Sequence, residues 1–511
     1  MTSRRWAKRG LWVLGLLGAV ACGSETFEPG VGSGAEPPRQ GSPDGSTGDG
    51  SAGGDSSSAT DSGFRRDGAA DSDGAAEIDG GASDGGASDA GPLDPRTCPV
   101  GPADGCCPLA IVHGGADPDC QPLDCAVTTK GDPIPIYTPE PAWRGQVAAA
   151  WSGRELVLAR AVEVYENLSN VADIVVQRRD ATGAVAGPDV VRRLAGLPPG
   201  ATWAELALDP SGDLFFAWQW RQDQLYRLAR LPAAGGPPTW TTALGYGCNA
   251  VGGALHLFVD GPRIVAGMAQ YTCAGSTWQP RVHVLSAATG ASAVTPGKEA
   301  LTDLRDGTRS DLHGGGGFAF HPTTRTLDVA YGRNFEDDLR MRTLDLAGEV
   351  LSAPRPVIVP AADYHTALAF DGSSHALVTR DRATTGLSTS YTFRLVGPAG
   401  VTTTQPLVSF GRDTDALEPR VLYTGDSYVV LVPYVVSFTQ NTSPERLSHR
   451  TRVFRVSKAG AILESFELDA SPSMFATVVR AGSRLAFTFV RPSGPTGTTS
   501  QGFLRYLGCG N

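Results

Sequence analysis

Five side chains fall where loops of a repeated unit would gather: Arg309, His313, His365, Arg412 and Arg420. Guanidinium and imidazole groups on neighbouring loops suit a small polar or anionic ligand, because charge-assisted hydrogen bonds are the strong ones. Asp303, Arg305, Asp306 and Asp311 share the first loop, Asp363 and Tyr364 precede His365, and Asp413, Asp415 and Glu418 lie between Arg412 and Arg420. Trp203 and Glu205 fall at the matching place in an earlier unit. His313 with His365 and Asp363 has the donors to hold a metal or to act as base and acid. Each stands alone in its loop, however, with no H-x-H or H-E-x-x-H spacing. Ser310-Asp311-x-His313 is too compact for a triad, and no Gly-x-Ser-x-Gly elbow is present. The competing reading is a rim of solvated charges. His256, His283, His321, His375 and His449 fall in strands or turns, where a structural role is expected. No cofactor or metal is expected.

The elements that would position these loops recur through the chain. A small apolar strand, a tight turn and a second apolar strand alternate as QVAAA–WSGR–ELVLAR, WAELAL–DPSGD–LFFAW, GGFAF–HPTTR–TLDVA, TALAF–DGSS–HALVTR, PRVLY–TGD–SYVVLV and FATVV–RAGS–RLAFTF. A later strand ends in a glycine turn, as in DIVVQRRDATGAV, RVHVLSAATGAS, TYTFRLVGPAGV and TRVFRVSKAGAIL. This is strand and hairpin grammar with little helical periodicity. The first turns repeat at roughly 50–60 residues, a period of repeat architectures. Units near 143–197, 198–244, 245–300, 301–360, 361–410, 411–469 and 470–511 make an all-β fold: a β-propeller of about seven four-stranded blades over 143–511. A pair of β-sandwiches and a β-helix are the alternatives. The last unit is short, and Ile134-Pro135-Ile136-Tyr137 is the segment expected to complete it and close the ring.

The N-terminal residues concern address. Arg4, Arg5, Lys8 and Arg9 precede the apolar run Leu11–Ala21, an export signal too short to span a bilayer. Ala19-Val20-Ala21-Cys22 resembles a bacterial lipobox, with Ala where Leu is preferred. Residues 1–21 are therefore a lipoprotein signal peptide, and Cys22 is the expected lipidation site. The other reading is an ordinary secretory signal. Residues 22–93 are Gly, Ser, Asp, Ala and Pro, too poor in apolar groups to offset the entropy of ordering. They form a tether, spanning roughly 45–50 Å if Gly/Ser-like. Between Cys22 and Arg96 lie 15 acidic and 4 basic residues, so most of the chain's net charge of −10 belongs to the tether. The remainder is not basic enough for nucleic acid.

Residues 94–142 form a Cys-rich junction with Cys98, Cys106, Cys107, Cys120 and Cys125. Once Cys22 is lipidated, eight cysteines remain, which favours disulfides in an oxidising compartment. Five in the junction is odd, so at least one must pair elsewhere or stay free. Cys509 is the expected partner, with Cys248 joined to Cys273. His113 makes zinc the competing reading there, but no C-x-x-C pair exists.

The whole layout resembles bacterial cell-envelope lipoproteins of the kind found in myxobacteria. That resemblance carries no functional residues and implies an outer-membrane anchor, periplasmic or surface-exposed. Tyr271–Trp278 is similar to the Asp-box turn of sialidase-like propellers, keeping its Gly, Thr and Trp but replacing its Ser and Asp. The expected function is ligand binding or interaction with another envelope protein, the alternative being an extracellular hydrolase acting on a polysaccharide or other polymer. Mass spectrometry of the mature N-terminus should find a lipid-modified Cys22; a chain beginning at an unmodified Cys22 thiol removes the anchor.

Overall fold

The computed structural model describes residues 128–509, less 142–144, 167–168, 181, 195–200, 221–224, 247–254, 273–276, 295–315, 322–323, 334–335, 347–354, 359–361, 383–388, 411–414, 417, 437–448, 483 and 494–498. The expected signal peptide and tether, Cys22 and the junction cysteines lie outside the described residues, as do Cys248 and Cys273.

The chain forms a seven-bladed β-propeller, each blade an antiparallel sheet whose strands run outward in sequence order. Blade one comprises Ala148–Trp151, Leu156–Glu166, Ser169–Arg179 and Val190–Leu194, and blade two Ala201–Leu208, Leu214–Trp220, Leu225–Leu231 and Trp240–Tyr246. Blade three holds Leu255–Asp260, Arg263–Thr272 and Thr277–Ser286. Its sheet has three strands among the described residues, extended by an isolated bridge between Leu285 and Ser292. Blade four comprises Gly317–His321, Thr326–Arg333, Glu336–Asp345 and Arg355–Ile358, and blade five Ala362–Phe370, His375–Arg382, Thr389–Gly397 and Gly400–Phe410. In blade six, Asp415–Ala416 and Arg420–Tyr423 both pair with Ser427–Val435, followed by His449–Ser457 and Ile462–Glu467. Blade seven holds Met474–Ala481, Arg484–Ser493 and Thr499–Cys509. The Asp-box-like stretch joins the second and third strands of blade three, with Tyr271 opposite Trp278.

Among the described residues, the turn after each innermost strand holds a left-handed residue. Six blades use glycine, from Gly261 at φ 55° to Gly425 at 103°, and blade four uses Arg325 at 54°. This backbone costs a glycine nothing and a side-chain-bearing residue something, which is why the repeat is visible as a glycine pattern. Carboxylates and hydroxyls brace these turns. The Asp371 carboxylate accepts from the Ser373 and Ser374 amides at 2.8 and 2.7 Å, and Asp209 accepts from the Asp213 amide at 3.0 Å.

Strand side chains alternate between faces, and in each blade both faces are apolar. Leu214, Phe216 and Trp218 pack with blade one, while Phe215 and Ala217, from the same strand, pack with blade three. The result is seven apolar clusters, one in each seam between neighbouring blades. The seventh closes the ring, joining Leu504, Tyr506 and Val490 of blade seven to Leu156 and Leu158 of blade one through Ile136 and Tyr137.

Those two residues belong to the closing segment. Thr128–Lys130, Ile134–Pro135 and Glu140–Pro141 pair antiparallel with Thr499–Cys509, with Ile134 opposite Leu504 and Thr128 opposite Cys509. The segment expected from the sequence therefore completes the last blade, and the propeller takes in Thr128–Pro141 as well as 143 onward. Blade one also grips it, the Arg179 guanidinium donating to the Pro135 carbonyl at 3.0 Å, while the Ile136 amide donates to the Gly502 carbonyl of blade seven at 2.8 Å. Cys509 lies at the strand end facing this segment, beside the chain that continues toward Cys125; its side chain lies outside the described residues.

A Cβ on Gly502 would overlap the ring of Tyr137, and overpacking of this kind costs about 1–3 kcal/mol. Gly502→Ala should therefore lower the denaturation midpoint, and adding Tyr137→Leu should restore part of the loss. A Gly502→Ala midpoint equal to the parent's would show that ring closure does not depend on this contact.

Candidate functional site

The central channel brings together charges from blades that do not touch. Glu205 lies three residues before the end of the inner strand of blade two, and Arg420 three before the end in blade six. Blades two and six are not neighbours in a ring of seven, so the two side chains meet across the axis. Arg420 Nη1 donates to Glu205 Oε2 at 3.1 Å, and Arg420 Nη2 reaches Gln146 Oε1, ahead of the inner strand of blade one, at 3.5 Å. The Glu205 and Arg420 side chains are 9 % and 16 % exposed, so this is a largely desolvated pair. Burial pushes the Glu205 carboxyl above its ordinary range, and the Arg420 guanidinium only partly opposes the shift. Gln146 Nε2 is buried without a hydrogen-bond partner among the described residues. Glu418, two residues before Arg420, is buried as well. A guanidinium, a carboxylate and an amide from three blades converging on one axis can recognise a polar ligand by paired hydrogen bonds.

Of the five residues singled out in the sequence, Arg420 is in this group. Arg309, His313 and Arg412 lie outside the described residues. His365 sits on the inner strand of blade five, five residues before the hairpin, the position that Gln146 and Glu418 take in their own blades; its side chain lies outside the described residues. Glu205 is thus a buried axial group rather than a solvated rim charge, and Glu418 is buried too.

A second group sits at the hairpin end of the seam between blades four and five. Nε2 of His321, the last residue of its inner strand, lies 2.9 Å from Asp328 Oδ2. Nε2 of His375, the first residue of the second strand of blade five, lies 2.5 Å from the same oxygen. The two Nε2 atoms are 3.4 Å apart. Thr343 Oγ1 donates to the other carboxylate oxygen at 2.5 Å. Phe370 stacks on the His321 ring at 3.8 Å between centroids and lies 4.8 Å from His375. Burial alone would raise the Asp328 carboxyl, but hydrogen bonds and charge from both histidines outweigh it and hold the group well below the usual carboxylate range. These three donors could hold a metal ion.

Sequence reasoning gave His321 and His375 only a structural role. One signal was available: they flank the same kind of turn in consecutive repeats, one unit apart. Asp328 carried no signal, being one carboxylate in an alternating strand. Burial of the His283 imidazole, with Arg281 nearby, pushes it down to about 4.

No known family model matches the chain, and no curated protein matches it either. Among solved structures, the chain is similar to the polysaccharide lyase Uly1, at 10 % identity and TM-score 0.43 over 73 % of this chain and 92 % of that one. A polysaccharide lyase family 25 ulvan lyase matches at 11 % identity and TM-score 0.40, over 63 % and 80 %. The parainfluenza virus 5 hemagglutinin-neuraminidase matches at 8 % identity and TM-score 0.35, over 78 % and 99 %. At these values the likenesses assign no activity.

The axial pair makes a stability prediction. Arg420→Met strands a buried carboxylate and should cost about 3–5 kcal/mol at neutral pH, while Arg420→Met with Glu205→Leu should cost far less. Glu205 has a raised folded-state pKa, so its burial is no handicap below its unfolded pKa and becomes one as pH rises through the window between the two values. The cost of Arg420→Met should accordingly shrink as the pH is lowered toward the unfolded carboxylate value. Urea unfolding at two pH values reads both effects; equal losses in the single and double variants would exclude the axial pairing.

Proposed function

We propose that this protein is an exported, lipid-anchored propeller that binds a small polar or anionic ligand, or a segment of another envelope protein, at the loop end of its central channel. The observation that carries the reading is the meeting of Arg420, Glu205 and Gln146 from three separate blades. The pair closes the axis at its own level, so a ligand entering from the loops would rest above it. In this reading Arg309, His313, His365 and Arg412 form the upper wall, on loops and strand starts that lead into the inner strands of blades four, five and six. The anchor at Cys22 and the tether of 22–93 would hold the propeller at the outer membrane while leaving it free to reach a partner.

The hydrolase alternative calls for His, Asp and Arg to converge at that same end. Among the described residues, a His–Asp convergence is found at the opposite, hairpin end.

The test is calorimetry against a panel of acidic oligosaccharides and small carboxylates. Arg309→Ala with Arg412→Ala should weaken any ligand found by at least about tenfold, since hydrogen bonds to charged groups contribute about 1.5–3 kcal/mol each. His321→Gln, at the other end, should leave that affinity unchanged. Unaltered affinity in the double arginine variant would place the ligand elsewhere.

A further inference from the structure

We propose that His321, Asp328 and His375 form a site for a divalent transition-metal cation of the zinc class, joining blades four and five. The two imidazole Nε2 atoms and one carboxylate oxygen converge on a single point, at mutual separations of 2.5, 2.9 and 3.4 Å. Around a tetrahedral Zn²⁺ with bonds of about 2.0–2.2 Å, ligand atoms stand roughly 3.3–3.5 Å apart. The two nitrogens already have that separation. The carboxylate oxygen, at 2.5 and 2.9 Å from them, has to retreat by roughly 0.4–1 Å on loading.

Protonation chemistry favours a cation over a bare hydrogen-bonded triad. If both imidazoles donate to Asp328 Oδ2, their two N–H groups crowd one another at 3.4 Å around a single oxygen. If one imidazole turns acceptor, its lone pair faces the carboxylate. A cation at the centre accepts all three lone pairs together. Two imidazoles and one carboxylate are the ligand types of zinc sites that keep a fourth position for water.

The surroundings fit the same reading. Thr343 Oγ1 holds the outer carboxylate oxygen, leaving Oδ2 turned toward the histidines, the support that metal-binding carboxylates usually have. Phe370 fixes the His321 ring plane by stacking and gives the site one dry wall. The His321 and His375 side chains are 13 % and 12 % exposed, so an ion and a fourth ligand can reach the site from solvent. Because the donors come from both sides of the seam, the ion would staple two blades.

The test uses the full chain, stripped with chelator and titrated with Zn²⁺ alone, then with Co²⁺ as a coloured substitute. One equivalent should bind, the melting temperature should rise on loading, and the Co²⁺ spectrum should lack a thiolate charge-transfer band. His321→Gln, Asp328→Asn and His375→Gln should each weaken binding by more than the ten- to hundredfold typical of losing a supporting contact. Each should still melt cooperatively in chelator. Thr343→Val keeps every ligand and guards against variants that fail to fold: it should weaken Zn²⁺ by about 10–100-fold. The site is refuted by a parent chain that takes up no Zn²⁺, by equal uptake in all variants, or by a thiolate band in the Co²⁺ spectrum, which would place the ion among the cysteines.

Discussion

Every blade of this protein is apolar on both faces, and the rest of the structure follows from that. A sheet with one wet face can end a domain, but a sheet with two dry faces needs a neighbour on each side. Seven such sheets meet the requirement only by closing on themselves, and each of the seven seams holds its own apolar cluster. The chain ends then become the critical joint. The last blade supplies three strands, and its outer edge is covered by residues that begin the described chain at Thr128. Covering that edge removes an unpaired backbone row and adds Ile136 and Tyr137 to the closing seam.

Packing of this kind confines polar chemistry to the channel and the seam ends. At the hairpin ends, polar contacts clasp neighbouring blades: Tyr428 donates to Asp371 at 2.7 Å, Arg325 meets Asp260 at 2.6 Å, and Arg480 donates to the Thr424 carbonyl at 2.8 Å. The His321–Asp328–His375 group occupies the corresponding place between blades four and five. Its difference from the other clasps lies in donor type, since two imidazoles and a carboxylate can share an ion where a guanidinium or a phenol cannot. In the channel the constraint is burial. A charge held on the axis must be matched by one from across it, and Arg420 meets Glu205 in that way.

The blade repeat was legible because its turns demand particular residues. Gly153, Gly212, Gly372, Gly425 and Gly482 announced their hairpins, and the alternating strands beside them gave the sheet faces. Even the closing segment at Ile134–Tyr137 could be named, since a blade short of a strand must borrow one. The outer edge of blade three was less legible: past Ser286 the turn is plain, but among the described residues one bridge at Ser292 extends the sheet. The candidate site was legible in part. Arg420 and Glu205 were visible as charges ahead of inner strands, but the same residues in a different number of blades would not face one another.

By itself the sequence determined what depends on neighbours along the chain: the left-handed turns, the two-faced apolar strands and so the repeat. Those properties rest on local backbone sterics and on period-two alternation, which act over a few residues. Tertiary structure decided which distant polar groups meet. Arg420 reaches Glu205 across 215 positions and His375 reaches Asp328 across 47. Neither pairing follows from residue type or spacing, because the first depends on the number of blades in the ring and the second on the angle at which neighbouring sheets pack.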